Sequence, residues 1–293
     1  ASSPITIGIP GFLAAWKFNA KSFLWIQDLW PESVKDAGGI TNKWILGVLD
    51  KMTRIIYSQV NVLLVQSKAF IPYLKNQDVA EDKIIYYPFY AEGFYGMIKP
   101  KSEYLRKLPQ GFKLLFAGNI GNAQSFQTLL DAAEILKIQN YPISWVIFGD
   151  GRMKKKVESQ INKKGLQNVF LLKGHYPSQE MPEYFCCVDG LIISLKKSKI
   201  FSMTIPSKLQ SYLASGRPII GSLDGITSDI IKLSEAGFVG RAESVEDLVN
   251  SIKLLYNLSP EERLVMGTNA RKYFEKEFEK EKLLNRLEVI LNN

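Results

Sequence analysis

Apolar positions along the chain fall into two alternating kinds of run. Short apolar stretches, the mark of strands buried on both faces, predict strands over 23–27, 60–65 and 83–86. Between them, 44–57 and 68–74 carry apolar side chains at helical spacing. From residue 112 the alternation becomes cleaner. Strands are predicted over 112–117, 143–148, 169–172, 190–195, 218–221 and 238–240. Helices are predicted over 124–138, 153–163, 179–185, 207–214, 228–234 and 245–255. In the first of these, Phe126, Leu129, Leu130, Ala133 and Leu136 share one face. Residues 261–293 are charged and amphipathic and predict terminal helices. Such alternation implies parallel sheets covered by helices on both faces, with ligands beyond the carboxyl ends of the strands. The strand-to-helix loops are therefore where chemistry is expected.

The pattern breaks over 87–110, where Pro88, Pro100, Pro109, glycines and lysines predict a linker. The expected organisation is a first domain with its linker over 1–110 and a second domain over 111–275. A terminal helix over 276–293 is expected to pack back on the first. A length of 293 residues fits one large or two ordinary domains, and a chain 46% hydrophobic has material for their cores. No run of about eighteen uncharged apolar residues occurs, so no membrane-crossing helix is expected. Ala1-Ser2-Ser3-Pro4 has neither the basic start nor the cleavage pattern of a signal peptide, and the absence of Met suggests that residue 1 is not the natural start.

Charge and rare residues narrow the chemistry. The net charge is +8 and the pI about 9.2, with lysines clustered at 154–156, 196–199 and 99–107. These are either solvated surface or ground for an anionic ligand or an anionic membrane. No finger, RRM or KH signature is present, so nucleic acid is not an expected partner. Cys186 and Cys187 are adjacent in an apolar stretch and read as buried thiols of a reducing, cytoplasmic compartment. His175 is the sole histidine, which excludes a zinc site of histidine and cysteine spacing and weighs against a Ser-His-Asp triad. No metal and no cofactor is expected.

Four loops could carry a site. Gly118-Asn119-Ile120-Gly121, running on to Gln124, links a strand to a helix, so it is a tight turn or a backbone cradle for an anion. Gly149-Asp150-Gly151 does the same one strand later, with Asp150 either capping the helix or walling a pocket. Gly174-His175-Tyr176 ends a third strand and is either structural or a flat face for a base. Most informative is the run from Thr204 to Ile220. Pro206-Ser207 opens a helix, Lys208 adds a cation at its start, Gln210 lies within it, and Gly216 and Pro218 close it.

Pro206-Ser207-Lys208 with Tyr212, Ala214, Gly216 and Pro218, after the two glycine loops, resembles the retaining glycosyltransferases of family four (glycosyl transferases group 1). The first part, Trp25-Ile26-Gln27-Asp28-Leu29-Trp30-Pro31-Glu32-Ser33 and Tyr87-Pro88-Phe89-Tyr90-Ala91-Glu92, resembles the bacterial branch assigned to L-fucosamine transfer in O-antigen and colanic-acid pathways. The resemblance spans essentially the whole chain. It implies the GT-B fold, an α/β architecture of two Rossmann-like domains with parallel sheets, the second binding donor and the first acceptor. Some 110 residues precede the second domain, which is short for a first domain of this family and implies that its early strands are missing.

By the same resemblance Gly118, Asn119, Gly121 and Gln124 would line the diphosphate and sugar, and Gly149, Asp150 and Gly151 the nucleotide. His175 and Tyr176 would border the base. Pro206, Ser207, Lys208 and Lys197 would meet phosphate, and Gln210 the ribose. Asp28 and Gln27 would face the transferred sugar and are the candidate catalytic positions. Three departures stand out. Ser202 and Gln210 replace a spaced Glu pair, Asn119 and Gln124 stand where Arg and Lys are common, and Gln27 replaces a His. The implied donor is a nucleoside diphosphate sugar, UDP-linked, and the implied acceptor a saccharide or polyprenyl-linked saccharide at the inner face of the cell membrane. Phe12, Trp16, Phe18 and Trp30, with Lys17 and Lys21, are either core or a peripheral contact with lipid. A noncatalytic nucleotide-sugar-binding partner and a sugar-nucleotide epimerase are the alternatives. Lys208 and Gln210 are expected to be exposed in the donor cleft.

Overall fold

Where the apolar runs are continuous, the chain forms strands buried on both faces. The computed structural model describes residues 4–36 and 39–292, so Ala1 to Ser3, which bear on the reading of the chain start, lie outside the described residues, as does Asn293. Contacts divide the chain into two units, 1–89 with 198–205, and 90–197 with 206–293. The first boundary falls at Phe89 rather than near residue 110, and the terminal helix groups with the second unit.

The first unit holds α1 (Gly8–Lys17), β1 (Phe23–Ile26), α2 (Glu32–Asp36), α3 (Lys43–Gln59), β2 (Val62–Val65), α4 (Phe70–Lys75) and β3 (Ile84–Tyr86). Its strands form a parallel sheet in the order β1-β2-β3. Ile26, Leu63, Val65, Ile56 and Phe70 meet in its core. Asn42 starts α3 by accepting from the amides of Trp44 and Ile45, the work of an N-cap side chain.

The second unit begins with α5 (Ser102–Arg106), followed by β4 (Phe112–Ala117), α6 (Phe126–Ile138), β5 (Ile143–Phe148), α7 (Lys154–Lys163), β6 (Phe170–Gly174), α8 (Met181–Phe185) and β7 (Gly190–Ser194). A short helix, α9 (Lys199–Met203), belongs to the first unit, where Ile200 enters the core. The second unit resumes with α10 (Lys208–Ala214), β8 (Ile219–Ser222), α11 (Ile226–Leu233), β9 (Gly237–Gly240), α12 (Val245–Asn257), α13 (Pro260–Glu277) and α14 (Lys280–Asn292). Ser259 and Glu262 open α13 as a reciprocal capping box, with Pro260 in its first turn.

The second sheet is parallel throughout, in the order β6-β5-β4-β7-β8-β9. Strand order reverses between β4 and β7, and a doubly wound sheet places its ligand crevice at the carboxyl ends of the two strands flanking that reversal. Register aligns the loops there. Phe112 pairs with Ile143 through to Ala117 with Phe148, so Gly118 and Gly149 leave the sheet side by side.

Four helices were not predicted from sequence. α2, α5 and α9 have five residues each, too few for apolar periodicity to register. α1 carries Pro10 and Gly11 near its start. Proline is tolerated in a first turn, where its missing N–H would have no partner.

Candidate functional site

Three strand ends are joined through glycines. The Gly118 amide donates to Phe148 O (2.9 Å), the Ile120 amide to Asp150 O (2.8 Å), and the Gly149 amide to Gly174 O (2.7 Å). Gly118, Gly149 and Gly151 have φ of 139°, 148° and 155°, a region that glycine enters freely. A Cβ on Gly149 would lie 1.8 Å from Gly118 O, and one on Gly151 would lie 2.5 Å from Ile120 O. Backbone thus packs on backbone, and the loops after β4 and β5 form one layer at the sheet's carboxyl edge.

The α10 segment closes on that layer. Tyr212, buried within α10, accepts from the Ala117 amide at the last residue of β4 (2.8 Å). Lys208, one turn earlier, lays its ammonium 3.7 Å from the centroid of the Phe116 ring. A Cβ on Gly118 would stand 3.1 Å from Lys208 Nζ. The nitrogen is shut off from solvent and has no hydrogen-bond partner among the described residues. Burial lowers its pKa from 10.5 to about 7. A ring face only partly replaces the hydration of an ammonium. Here a buried amine lies directly against the glycine that follows β4.

Other expected contacts are consumed within the loops. Gln124 accepts from the Gly121 amide (3.2 Å) and, with Asn119, covers Gly121. Asp150 is exposed, accepts from the Gly151 amide (2.7 Å) and pairs with Lys154 (3.1 Å). The Gly151 amide chiefly, then Lys154 and His175, hold its carboxyl below the usual range. His175 is exposed, while Tyr176 packs edge-on to Phe148 (4.9 Å). Lys197 is exposed, its amide donating to Glu243 (3.1 Å), and Lys196 Nζ donates to Asn122 (2.6 Å). Pro206 is half-buried and Ser207 exposed, its side chain capping nothing.

Two exposure expectations are corrected. Lys208 is not cleft-exposed at its charged end, because its Nζ lies over the Phe116 ring and is enclosed. Gln210 is fully buried, and its amide, oriented to donate, reaches Pro206 O (3.1 Å) and Ser207 O (3.0 Å). It braces the start of α10, so its direct contact with a ribose is not supported by this placement. Gln210→Ala should lower stability by about 1 kcal/mol through the lost bonds. A thermal or urea melt checks this, and an unchanged midpoint would remove the bracing role.

Sequence reasoning placed Phe116 at the head of the first glycine loop without giving it a role toward Lys208, and passed over the strained pair Ser125 and Glu243. Both residues of that pair have left-handed φ (43° and 61°), and their side chains meet at 3.4 Å. Their positions carried no glycine to signal that conformation. In the first unit, Asp28 follows β1 and burial raises its carboxyl pKa. Gln27 follows the same strand, its carbonyl accepting from Gln66 (3.3 Å). Phe12 and Trp30 pack on the first core, whereas Trp16 and Phe18 are exposed. Among the described residues, no group of three His, Cys, Asp or Glu side chains is placed to hold a metal ion.

A doubly wound parallel sheet with glycine loops at its switch point defines an α/β protein whose ligand crevice is expected there. The family model described as Glycosyl transferases group 1 matches residues 100–273, and the chain belongs to that family. The chain is also similar to the Escherichia coli (strain K12) protein named for colanic acid biosynthesis, the glycosyl transferase WcaI. The two are 28% identical over 219 residues, covering 70% of this chain and 51% of that protein. The chain therefore spans about half the length of this curated relative.

Among solved structures, Anabaena Alr3699/HepE in complex with UDP and glucose superposes with a TM-score of 0.76 at 14% identity, over 98% of this chain and 75% of that one. The pneumococcal O-GlcNAc transferase GtfA in complex with UDP and GlcNAc gives 0.72 at 16% identity, over 97% and 54%. S. aureus TarM gives 0.68 at 17% identity, over 94% and 51%. At these identities the likeness is one of fold, the α/β fold with parallel sheets of GT-B glycosyltransferases.

Proposed function

We propose that this chain carries the donor site of a glycosyltransferase that moves a sugar from a nucleoside diphosphate sugar, UDP-linked, to a saccharide or lipid-linked saccharide in bacterial surface polysaccharide synthesis. The observation that carries this reading is Lys208, a desolvated ammonium with no hydrogen-bond partner among the described residues, beside the glycine loop at the sheet's switch point. A diphosphate there would supply the missing acceptors and restore the lysine's charge. The UDP complexes of Alr3699/HepE and GtfA support the choice of nucleotide. Transfer is proposed to retain the anomeric configuration. The bond from the anomeric carbon to the phosphate oxygen breaks as one to the acceptor oxygen forms, and the acceptor proton passes to the leaving phosphate. Lys208 stabilises the charge that develops on that phosphate. For Asp28 and Gln27 the proposed role lies with the transferred sugar, and the place of work is the inner surface of the cell membrane.

Binding should depend on pH in a defined direction. Free Lys208 loses its proton above about 7, while a bound phosphate holds it on. UDP affinity should therefore fall as pH rises from 7 to 9, by up to about tenfold per unit, above the phosphate's own ionisation near 6. The reaction itself is tested by incubating the purified chain with a panel of UDP-sugars and a saccharide acceptor. Release of UDP with a glycosylated product of unchanged anomeric configuration is the expected result. UDP binding without turnover would favour the noncatalytic binding partner, and inversion would remove the retaining mechanism.

A further inference from the structure

We propose that Gln66 and Glu32 are positioning residues that hold the turn carrying Asp28 from its two sides. The proposal rests on the reading above that Asp28 faces the transferred sugar. β2 is the middle strand of the first sheet, and its last residue, Val65, pairs with Ile26 at the end of β1. Gln27 and Gln66 therefore leave the sheet side by side, and the Gln66 amide donates across to Gln27 O (3.3 Å). Beyond Asp28 the chain turns inward. Leu29 is fully buried, and its carbonyl accepts from the Ser33 amide (2.8 Å) and the Ser33 hydroxyl (2.6 Å). Glu32 opens α2 and accepts from the Tyr73 hydroxyl of α4, which in turn accepts from the Gln77 amide (2.7 Å). Asp28 thus sits on a short arc whose two ends are hydrogen-bonded to side chains from other elements.

Stability explains neither anchor. Gln66 is 1% exposed, yet its amide oxygen has no partner among the described residues. Glu32 likewise leaves one carboxylate oxygen buried and unpartnered among them. Burial first, and then the charge of Glu32, raise the pKa of the Tyr57 hydroxyl, which has no partner there either. Polar atoms buried without partners cost stability, so an apolar side chain at either place would serve the core better. What the polar ends supply is direction. A hydrogen bond fixes the backbone on each side of Asp28, where apolar packing alone would let it slide. A group that meets a reacting sugar must be held to within about 0.5 Å by side chains whose own rotamers are locked, and enclosure locks Gln66.

Hydrogen exchange read by mass spectrometry, together with turnover of a UDP-sugar, tests the proposal on the whole chain. In Gln66→Leu and in Glu32→Leu, exchange over residues 27–33 should quicken at least about tenfold, with the melting midpoint and UDP affinity close to those of the wild type. Turnover should follow the turn: kcat should fall at least about tenfold with KM for the UDP-sugar unaltered, as in Asp28→Asn. Glu32→Gln, which keeps an oxygen for Tyr73, should restore both exchange and kcat. Unaltered exchange over 27–33 in the two leucine variants would overturn the proposal. So would a lowered midpoint with kcat unchanged, which would make both side chains part of the core alone. A wild-type chain that binds UDP but turns nothing over would sink the transferase reading, and exchange over 27–33 would then decide the positioning by itself.

Discussion

Replacing Lys208 by methionine should weaken UDP binding by tenfold or more while leaving the fold at least as stable. The two halves of this expectation have one cause. In the free chain the ammonium has left water for the Phe116 ring and gained no hydrogen bond among the described residues. Its pKa, lowered from 10.5 to about 7, states that cost. Between those values the unfolded chain binds a proton that the folded chain does not, so stability rises with pH across the window and is lowest where folding must bury the charge. Methionine keeps the packing on Phe116 and removes the ionisable group. The melting midpoint near pH 7 should hold or rise, and its climb between pH 7 and 10 should flatten. With UDP present, a charge-assisted hydrogen bond worth about 1.5–3 kcal/mol disappears, and about 1.4 kcal/mol is one decade of affinity. Calorimetric titration and thermal melts on both proteins measure this. Unaltered UDP affinity in the variant, with a normal melt, would take the nucleotide away from this lysine.

The second large effect is expected at Gly149. Its φ of 148° is closed to most side chains, and an added Cβ would lie 1.8 Å from Gly118 O, a backbone atom that cannot swing aside. Gly149→Ala should therefore cost about 3 kcal/mol or more, the sum of backbone strain and a forced shift of the loop after β4. That shift displaces Gly118 from beside Lys208 Nζ, so UDP binding to the surviving folded protein should also weaken. Gly93→Ala is the matched control, since a Cβ there meets nothing within 4 Å. Urea unfolding of the two variants checks the difference. Equal midpoints would show that the loops after β4 and β5 are not locked together as described.

Why some of this was legible and some was not follows from the range of the forces involved. β4 and β5 were read to the residue, because apolar runs interrupted only by Lys113 and Ser144, each followed by a glycine, are a local signal. α9 left no such trace. It belongs to the first unit although its neighbours in sequence belong to the second, and long-range contacts of Ile200, Phe201 and Met203 with the first core reveal that. Gln210 shows the limit of a motif position. Resemblance directed it at the ribose, but α10 is buried over most of its circumference, and the amide turned back to the carbonyls of Pro206 and Ser207. Lys208 was visible as a cation at a helix start. Its desolvation was not, since that depends on Phe116 and Gly118, distant in sequence and brought near by Tyr212 binding the end of β4.

The central claim is that a nucleoside diphosphate completes the environment of Lys208, and proton uptake tests it most directly. UDP is titrated into the wild-type chain at pH 8 in two buffers of different ionisation enthalpy. Free Lys208, with a pKa of about 7, is mostly neutral there and should take a proton as the diphosphate arrives. The expected result is saturable binding with uptake of close to one proton per UDP, absent in Lys208→Met. No binding, or binding with no buffer dependence of the heat, would contradict it.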